Sequence, residues 1–127
     1  MTLLRNYLLP LGGKLYVCKN KNDSVNAISL ADGTIQANVR VQPSTLPARL
    51  RGLRLSGMAA SPDGRRIYIA ESGLNAIAVL DTRTSRIVGH IPTPWYPYRV
   101  AVSPDGRKLA CISFRGFGNG PNAGSNV

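Results

Sequence analysis

Short runs of alternating apolar and polar residues recur along this chain, and no segment holds a convincing helical period. Ile67-Tyr68-Ile69-Ala70, Ala76-Ile77-Ala78-Val79-Leu80 and Arg86-Ile87-Val88-Gly89-His90-Ile91 are each about as long as one strand. Alternation with β-branched and aromatic residues over about five positions predicts half-buried strands. Met58-Ala59-Ala60 supplies a further short strand before them. Between the runs lie turn formers. Ser61-Pro62-Asp63-Gly64 fits a type I turn, with serine first, proline setting φ at the second position and glycine closing at the fourth. Asp81-Thr82-Arg83-Thr84 is a second polar turn. The predicted class is all-β.

The same grammar repeats. GMAASPDGRRIYIA from Gly57 returns as RVAVSPDGRKLACI from Arg99, so that Ser103-Pro104-Asp105-Gly106 follows Ser61-Pro62-Asp63-Gly64 at a spacing of 42 residues. A degenerate third copy lies upstream: GKLYVCKN from Gly13 matches GRRIYIAES, and VNAISLADGT from Val25 matches LNAIAVLDTRT from Leu74. Gln42 to Leu53 reads as a basic, proline-containing insertion. Four strands in ~42 residues is the rhythm of a propeller blade. The expected architecture is therefore a partial β-propeller of about two and a half four-stranded antiparallel blades. Residues 1–12 are expected to be irregular, and 13–41 to hold the last three strands of one blade. After the insertion at 42–53, residues 54–91 form a complete blade. Residues 92–113 hold an inter-blade loop and the first two strands of the next, and 114–127 form a glycine-rich loop or tail.

SPDGRRIYIAESGLNAIAVLDTRTSRIVGHIPTPWYPYRVAVSPDGRKL resembles the YVTN-type bacterial β-propeller repeat, a likeness that covers residues 13 to 113. IPTPWYPYRVAVSPDG followed by FRGFGNGPNAG is similar to one branch, in which an amino-terminal propeller precedes an alkaline-phosphatase-like phosphoesterase domain. Cys18-Lys19 and Ala110-Cys111 depart from the family's usual Val-Ala-Asn run while keeping the strand pattern. The resemblance implies a periplasmic or extracellular protein of bacterial origin, larger than this chain, with the remaining blades as its immediate partners. The branch likeness implies an accessory role beside a phosphoesterase whose metal-binding residues lie elsewhere. Alone, two and a half blades leave sheet edges and blade faces uncovered, so the isolated chain is expected to self-associate.

Composition narrows the function classes. With 127 residues and 43% apolar content, the chain is sized for one globular unit. No apolar run approaches the ~18 residues of a membrane span. MTLLRNYLLPLGG has too short an apolar run, interrupted by Pro10, for a signal peptide. The net charge of +10 attracts phosphate in general. Its lysines and arginines are nevertheless scattered, with no interleaved stacking aromatics, which does not favour nucleic acid as a partner.

Candidate chemistry is sparse. His90 is the single histidine, and Ser85 with Asp81 would be its nearest partners for nucleophilic catalysis, but those two residues fall in a surface turn. Asp63 and Asp105 recur with their glycines as turn chemistry demands, and no carboxylate cluster adds the oxygens calcium needs. Cys18 and Cys111 fall at adjacent positions of the repeat, hence on opposite strand faces, and are expected to stay free thiols. Gly118-Asn119-Gly120-Pro121-Asn122-Ala123 matches a dinucleotide fingerprint only formally, without a following helix. No catalytic residue, metal or cofactor is expected. What remains is a face. In an antiparallel blade the second-to-third strand loop and the connection to the next blade leave from the same end. Arg51, Arg54, Trp95, Tyr96, Arg99 and Arg115 are therefore the expected ligand-binding set, opposite the Ser-Pro-Asp-Gly turns. Arginine beside exposed aromatic rings suits an anionic or planar partner. The expected function is a non-catalytic scaffold or binding module.

Overall fold

The computed structural model describes residues 8–19, 22–43 and 53–114. Among these residues ten strands make three antiparallel sheets, in each of which consecutive strands pair with one another. The first sheet holds β1 (Leu8–Leu11), β2 (Lys14–Lys19), β3 (Ser24–Ser29) and β4 (Ile35–Arg40). The second holds β5 (Leu55–Ala60), β6 (Arg66–Glu71), β7 (Ala76–Asp81) and β8 (Arg86–Pro92). The third pairs β9 (Pro97–Val102) with β10 (Leu109–Ser113). Among the described residues the one helical element is a 3-10 turn at Ser72–Leu74. This is a partial propeller of two four-stranded blades and a two-stranded third.

The first blade has one more strand than the sequence predicted. Leu8–Leu11 pairs along its length with Val17–Lys14, where an irregular segment was expected. Its sequence, LLPL, has no alternation, and Pro10 argues against an inner strand. β1 bonds to one neighbour only, and an edge strand tolerates a residue that donates nothing to a ladder. The Val25/Leu74 match also shifts. Lys19 faces Ser24 across the β2–β3 turn as Glu71 faces Ala76 across β6–β7, which makes Asp23, not Asn26, the counterpart of Asn75.

The core lies between the blades. Ile67 and Ile69 of β6, Leu55 of β5 and Ala78 and Leu80 of β7 pack on Tyr16, Val25, Ala27 and Val39 of the first blade. Period-2 alternation selects these positions and sends Tyr68 and Val79, a cross-strand pair, to the other side. The third sheet lies against β5 and β6. There Gly57 matters: a Cβ on it would stand 3.0 Å from the Tyr98 carbonyl oxygen and 3.5 Å from the Arg99 Cα.

The Ser-Pro-Asp-Gly turns have the expected form. Gly64 N–H donates to Ser61 O at 2.9 Å, and Gly106 N–H to Ser103 O at the same distance, both glycines having φ of 72°. The Ser61 hydroxyl donates to Asp63 Oδ1 and accepts from Arg66 N–H, and Ser103 does the same with Asp105 and Lys108. The Ser61 hydroxyl, then Arg65 N–H, hold the Asp63 carboxyl below its ordinary range. Pro62 and Pro104 stay at exposed second positions. Thr82 donates its hydroxyl to Gly64 O, and Arg66 pairs with Asp81, which puts the β5–β6 and β7–β8 turns at one end of the second blade.

Candidate functional site

At the other end, each second-to-third strand turn is a fastening point. Asp23 and Asn75 occupy the same position in successive blades, and both are left-handed, with φ of 48° and 54°. Few residues other than glycine accept this conformation, and Asp and Asn are among them. Their carbonyls accept from the residue just past the blade's last strand: Val41 N–H for Asp23 and Thr93 N–H for Asn75, each at 2.9 Å. Their side chains accept from the chain entering the next blade. Leu53 N–H reaches Asp23 Oδ1 at 3.0 Å, and Tyr96 N–H reaches Asn75 Oδ1 at 2.9 Å. One residue thus closes its own blade and holds the start of the next. Asn75→Ala removes the acceptor and leaves at a left-handed position a residue without the polar side chain that makes Asn tolerable there, so it should cost about 2 kcal/mol. Asn75→Gly loses only the acceptor and should cost less. Urea midpoints order the three proteins.

The connector so held presents Arg54 and Tyr96, which again share a position in successive blades and are both left-handed, at φ 54° and 60°. Their carbonyls accept Ser72 N–H at 3.0 Å and Phe114 N–H at 2.9 Å, one bond repeated in two blades. The two side chains meet. Arg54 Nη1 donates to the Tyr96 hydroxyl, and the guanidinium stands 5.9 Å from the Tyr96 ring centroid. Phe114, 74% exposed, completes the patch, edge-on to Tyr96 at 6.3 Å and to Tyr98 at 6.0 Å. Trp95 sits half-buried in the same connector.

Of the six residues expected on this face, the structure brings Arg54 and Tyr96 into contact and keeps Trp95 beside them. Arg51 and Arg115 lie outside the described residues. Arg99 is apart from the group. It pairs with Ile112 on the exposed face of the third sheet and lines, with Gly57, Met58, Ala101 and Ala110, a separate cleft of about 350 Å³. Its place as the third residue of β9 aims it across the sheet instead of along the rim. The loop-end rule also puts Tyr98 and Phe114 on this face, but the expected binding set omits them, and they are the aromatic edges of the patch. The repeat carried the signal for Phe114, because it stands where Ser72 bonds back to the connector.

Among the described residues His90 bonds to neither Ser85 nor Asp81. Asp81 is occupied by Arg66 and by the Arg83 and Thr84 amides, and His90 Nε2 instead lies 3.1 Å from Val41 O and 3.0 Å from Glu71 Oε1. The sequence did signal Glu71, since alternation from Ile67 and Ile69 puts it on the core face. Cys18 and Cys111 are free, and burial pushes the Cys18 thiol up to about 12, so it holds its proton at neutral pH. Among the described residues no group of three or more His, Cys, Asp or Glu side chains is arranged to hold a metal ion, and no helix is long and apolar enough to cross a membrane.

No protein-family model matches the chain, and no curated protein matches it significantly. Solved structures do share its architecture. Hydrazine synthase of Kuenenia stuttgartiensis superposes with a TM-score of 0.67 at 20% identity, over 89% of this chain and 30% of that one. A candidate 6-phosphogluconolactonase from Bacteroides fragilis gives 0.69 at 19% identity, over 84% and 31%. The dihydro-heme d1 dehydrogenase NirN gives 0.64 at 20%, over 84% and 21%. This chain therefore spans a third or less of the length of these neighbours. At such identities the likeness speaks for the fold alone: the chain is built as adjoining blades of a β-propeller-like protein.

Proposed function

We propose that this chain is a non-catalytic propeller segment of the YVTN type. In this reading it serves a larger exported bacterial protein as scaffold and as a binding surface for an anionic or planar ligand. The observation that carries the binding role is the Arg54–Tyr96 contact: same-position residues of successive blades, both held left-handed, meeting beside the exposed Phe114 ring. Backbone held in a sparsely populated region persists only where its surroundings over-determine it, and such positions cluster at ligand sites. A guanidinium on an aromatic ring can receive a flat anion by stacking and charge together.

The scaffold role is supported by the third sheet, whose outer face carries Ala101, Ala110 and Ile112 at 52% exposure. These positions correspond to residues of the second blade that the third sheet covers. A further blade is the natural occupant.

Trp95 is the only tryptophan and adjoins the patch, so binding can be read by its emission. Titration with naphthalenesulfonate should quench it saturably. Arg54→Ala should weaken binding about tenfold, the loss of one charged contact worth about 1.4 kcal/mol, and uncharged naphthalene should bind the native chain comparably weakly. Equal affinity of Arg54→Ala and the native chain would reject the site. Hydrolytic activity lost on changing His90 or Ser85 would reject the non-catalytic assignment.

A further inference from the structure

The seam between the first and second blades contains an acid that the binding surface does not use. Glu71 ends β6 and is fully buried, facing Leu55 across the ladder. Neither of its carboxyl oxygens makes a well-aligned hydrogen bond. Among the described residues two ionisable groups face it. Asp23, 2% exposed, comes from the first blade's β2–β3 turn, and His90 comes from β8. His90 Nε2 lies 3.1 Å from Val41 O, and a carbonyl can only accept, so Nε2 carries a proton and donates it. The imidazole thus bolts the outer strand of the second blade to the chain leaving the first, while the same Nε2 stands 3.0 Å from Glu71 Oε1.

Among the described residues the remaining cations stand at the rim of this seam, Arg40 bordering Asp23 in a neighbouring groove. Arg40 and Arg86 line the solvent groove that His90 borders, and Arg40 holds the Gln42 side chain. Lys19, the counterpart of Glu71 in the first blade, lies by alternation on the far side of that sheet from Tyr16 and Cys18. Arg54 is engaged with Tyr96.

We propose that Asp23, Glu71 and His90 form an alkali-released latch between the first two blades, closed while the Glu71 carboxyl keeps its proton and loosened once it ionises. An uncharged acid can remain in this buried seam beside Asp23. A carboxylate there is both desolvated and opposed by a second carboxylate, and a buried charge without adequate hydrogen bonds is strongly disfavoured. Burial first, and the Asp23 charge second, push the Glu71 carboxyl up to about 8. The sign follows. A group that binds its proton more tightly when folded contributes fully below its unfolded value, near 4.5, and that contribution is lost as the pH climbs through about 8.

Urea midpoints of the full chain between pH 5 and pH 9 test this. The native chain should lose up to about tenfold in folding equilibrium per pH unit across the middle of that range. Glu71→Gln, which keeps shape without charge, should be nearly flat and should exceed the native chain at pH 8. His90→Gln, which can still donate to Val41, should retain the native slope. A native slope in Glu71→Gln, or a flat native profile, overturns the latch. Hydrogen exchange on the unmutated chain gives a second reading, independent of how any variant folds. After correction for base catalysis, Val41 and Leu53 amides at the seam should lose protection above pH 7 while Ile69 within β6 keeps its own. Uniform loss, or none, overturns the proposal.

Discussion

Gly57→Val should peel the third sheet from the second blade, with the largest loss of stability of any single change outside the core. The residue is buried, and its missing side chain is what lets β5 and β9 approach. A Cβ at 3.0 Å from the Tyr98 carbonyl oxygen meets backbone, which cannot rotate away as a side-chain tip would. Valine adds two methyls beyond that clash. Overpacking of this kind costs about 1–3 kcal/mol, and Gly57→Val should reach about 3 kcal/mol, with Gly57→Ala near 1. The loss has a local signature, because Trp95 lies in the connector into β9. Its emission should shift at lower urea than the far-UV strand signal of the first two blades. A single coincident transition at the native midpoint would show that β9 does not depend on this approach.

Ile69→Ala should be comparably severe through the opposite fault, a void. Ile69 is fully buried within the cluster joining β6 and β7 to Tyr16, Val25 and Val39, so truncation leaves a cavity between two blades. Large-to-small changes at such sites cost about 2–5 kcal/mol, against a total stability of about 5–15 kcal/mol for a domain. Most of the folded population of this chain could be lost at 37 °C. Ile112→Ala is the matched control. That side chain lies on the open face of the third sheet, 52% exposed, and its removal should change the urea midpoint by no more than about 0.5 kcal/mol. Equal costs for the two would mean that the outer face of β10 is covered in solution, as self-association would do.

The reasons these two isoleucines differ were partly visible beforehand. Alternation in Ile67-Tyr68-Ile69-Ala70 and the recurring Ser-Pro-Asp-Gly turns encode strand direction, pairing and turn type locally, so the second blade and the start of the third were legible. β1 was not, because LLPL lacks the period and gains its place from pairing with β2 and from packing Leu9 and Leu11 against the core. The fastening residues Asp23 and Asn75 were hidden for a different reason. Their partners, Leu53 and Tyr96, are brought to them by the stacking of blades, and a misleading likeness of VNAI to LNAI pulled the alignment off register. The rim was legible in part. Loop-end logic predicted that Arg54 and Tyr96 share an end, but their contact, and the divergence of Arg99, depend on backbone torsions that the sequence does not spell out. Glu71 followed the alternation rule into the core, where its charge made the rule easy to overlook.

The double duty of Asp23 and Asn75 bears on how such a protein can be divided. Since each one grips both its own last strand and the connector beyond, the unit that can be copied, transplanted or severed intact is a sheet together with the connector that follows it. A break between Pro92 and Pro97 would strand the Asn75 side chain and unseat Tyr96 at once. A break at the exposed Ala31–Gly33 hairpin would sever only local bonds to Ser29 and Thr34. Permuted termini and inserted tags therefore belong at the hairpin end of the blades, leaving the rim that carries Arg54, Tyr96 and Phe114 undisturbed.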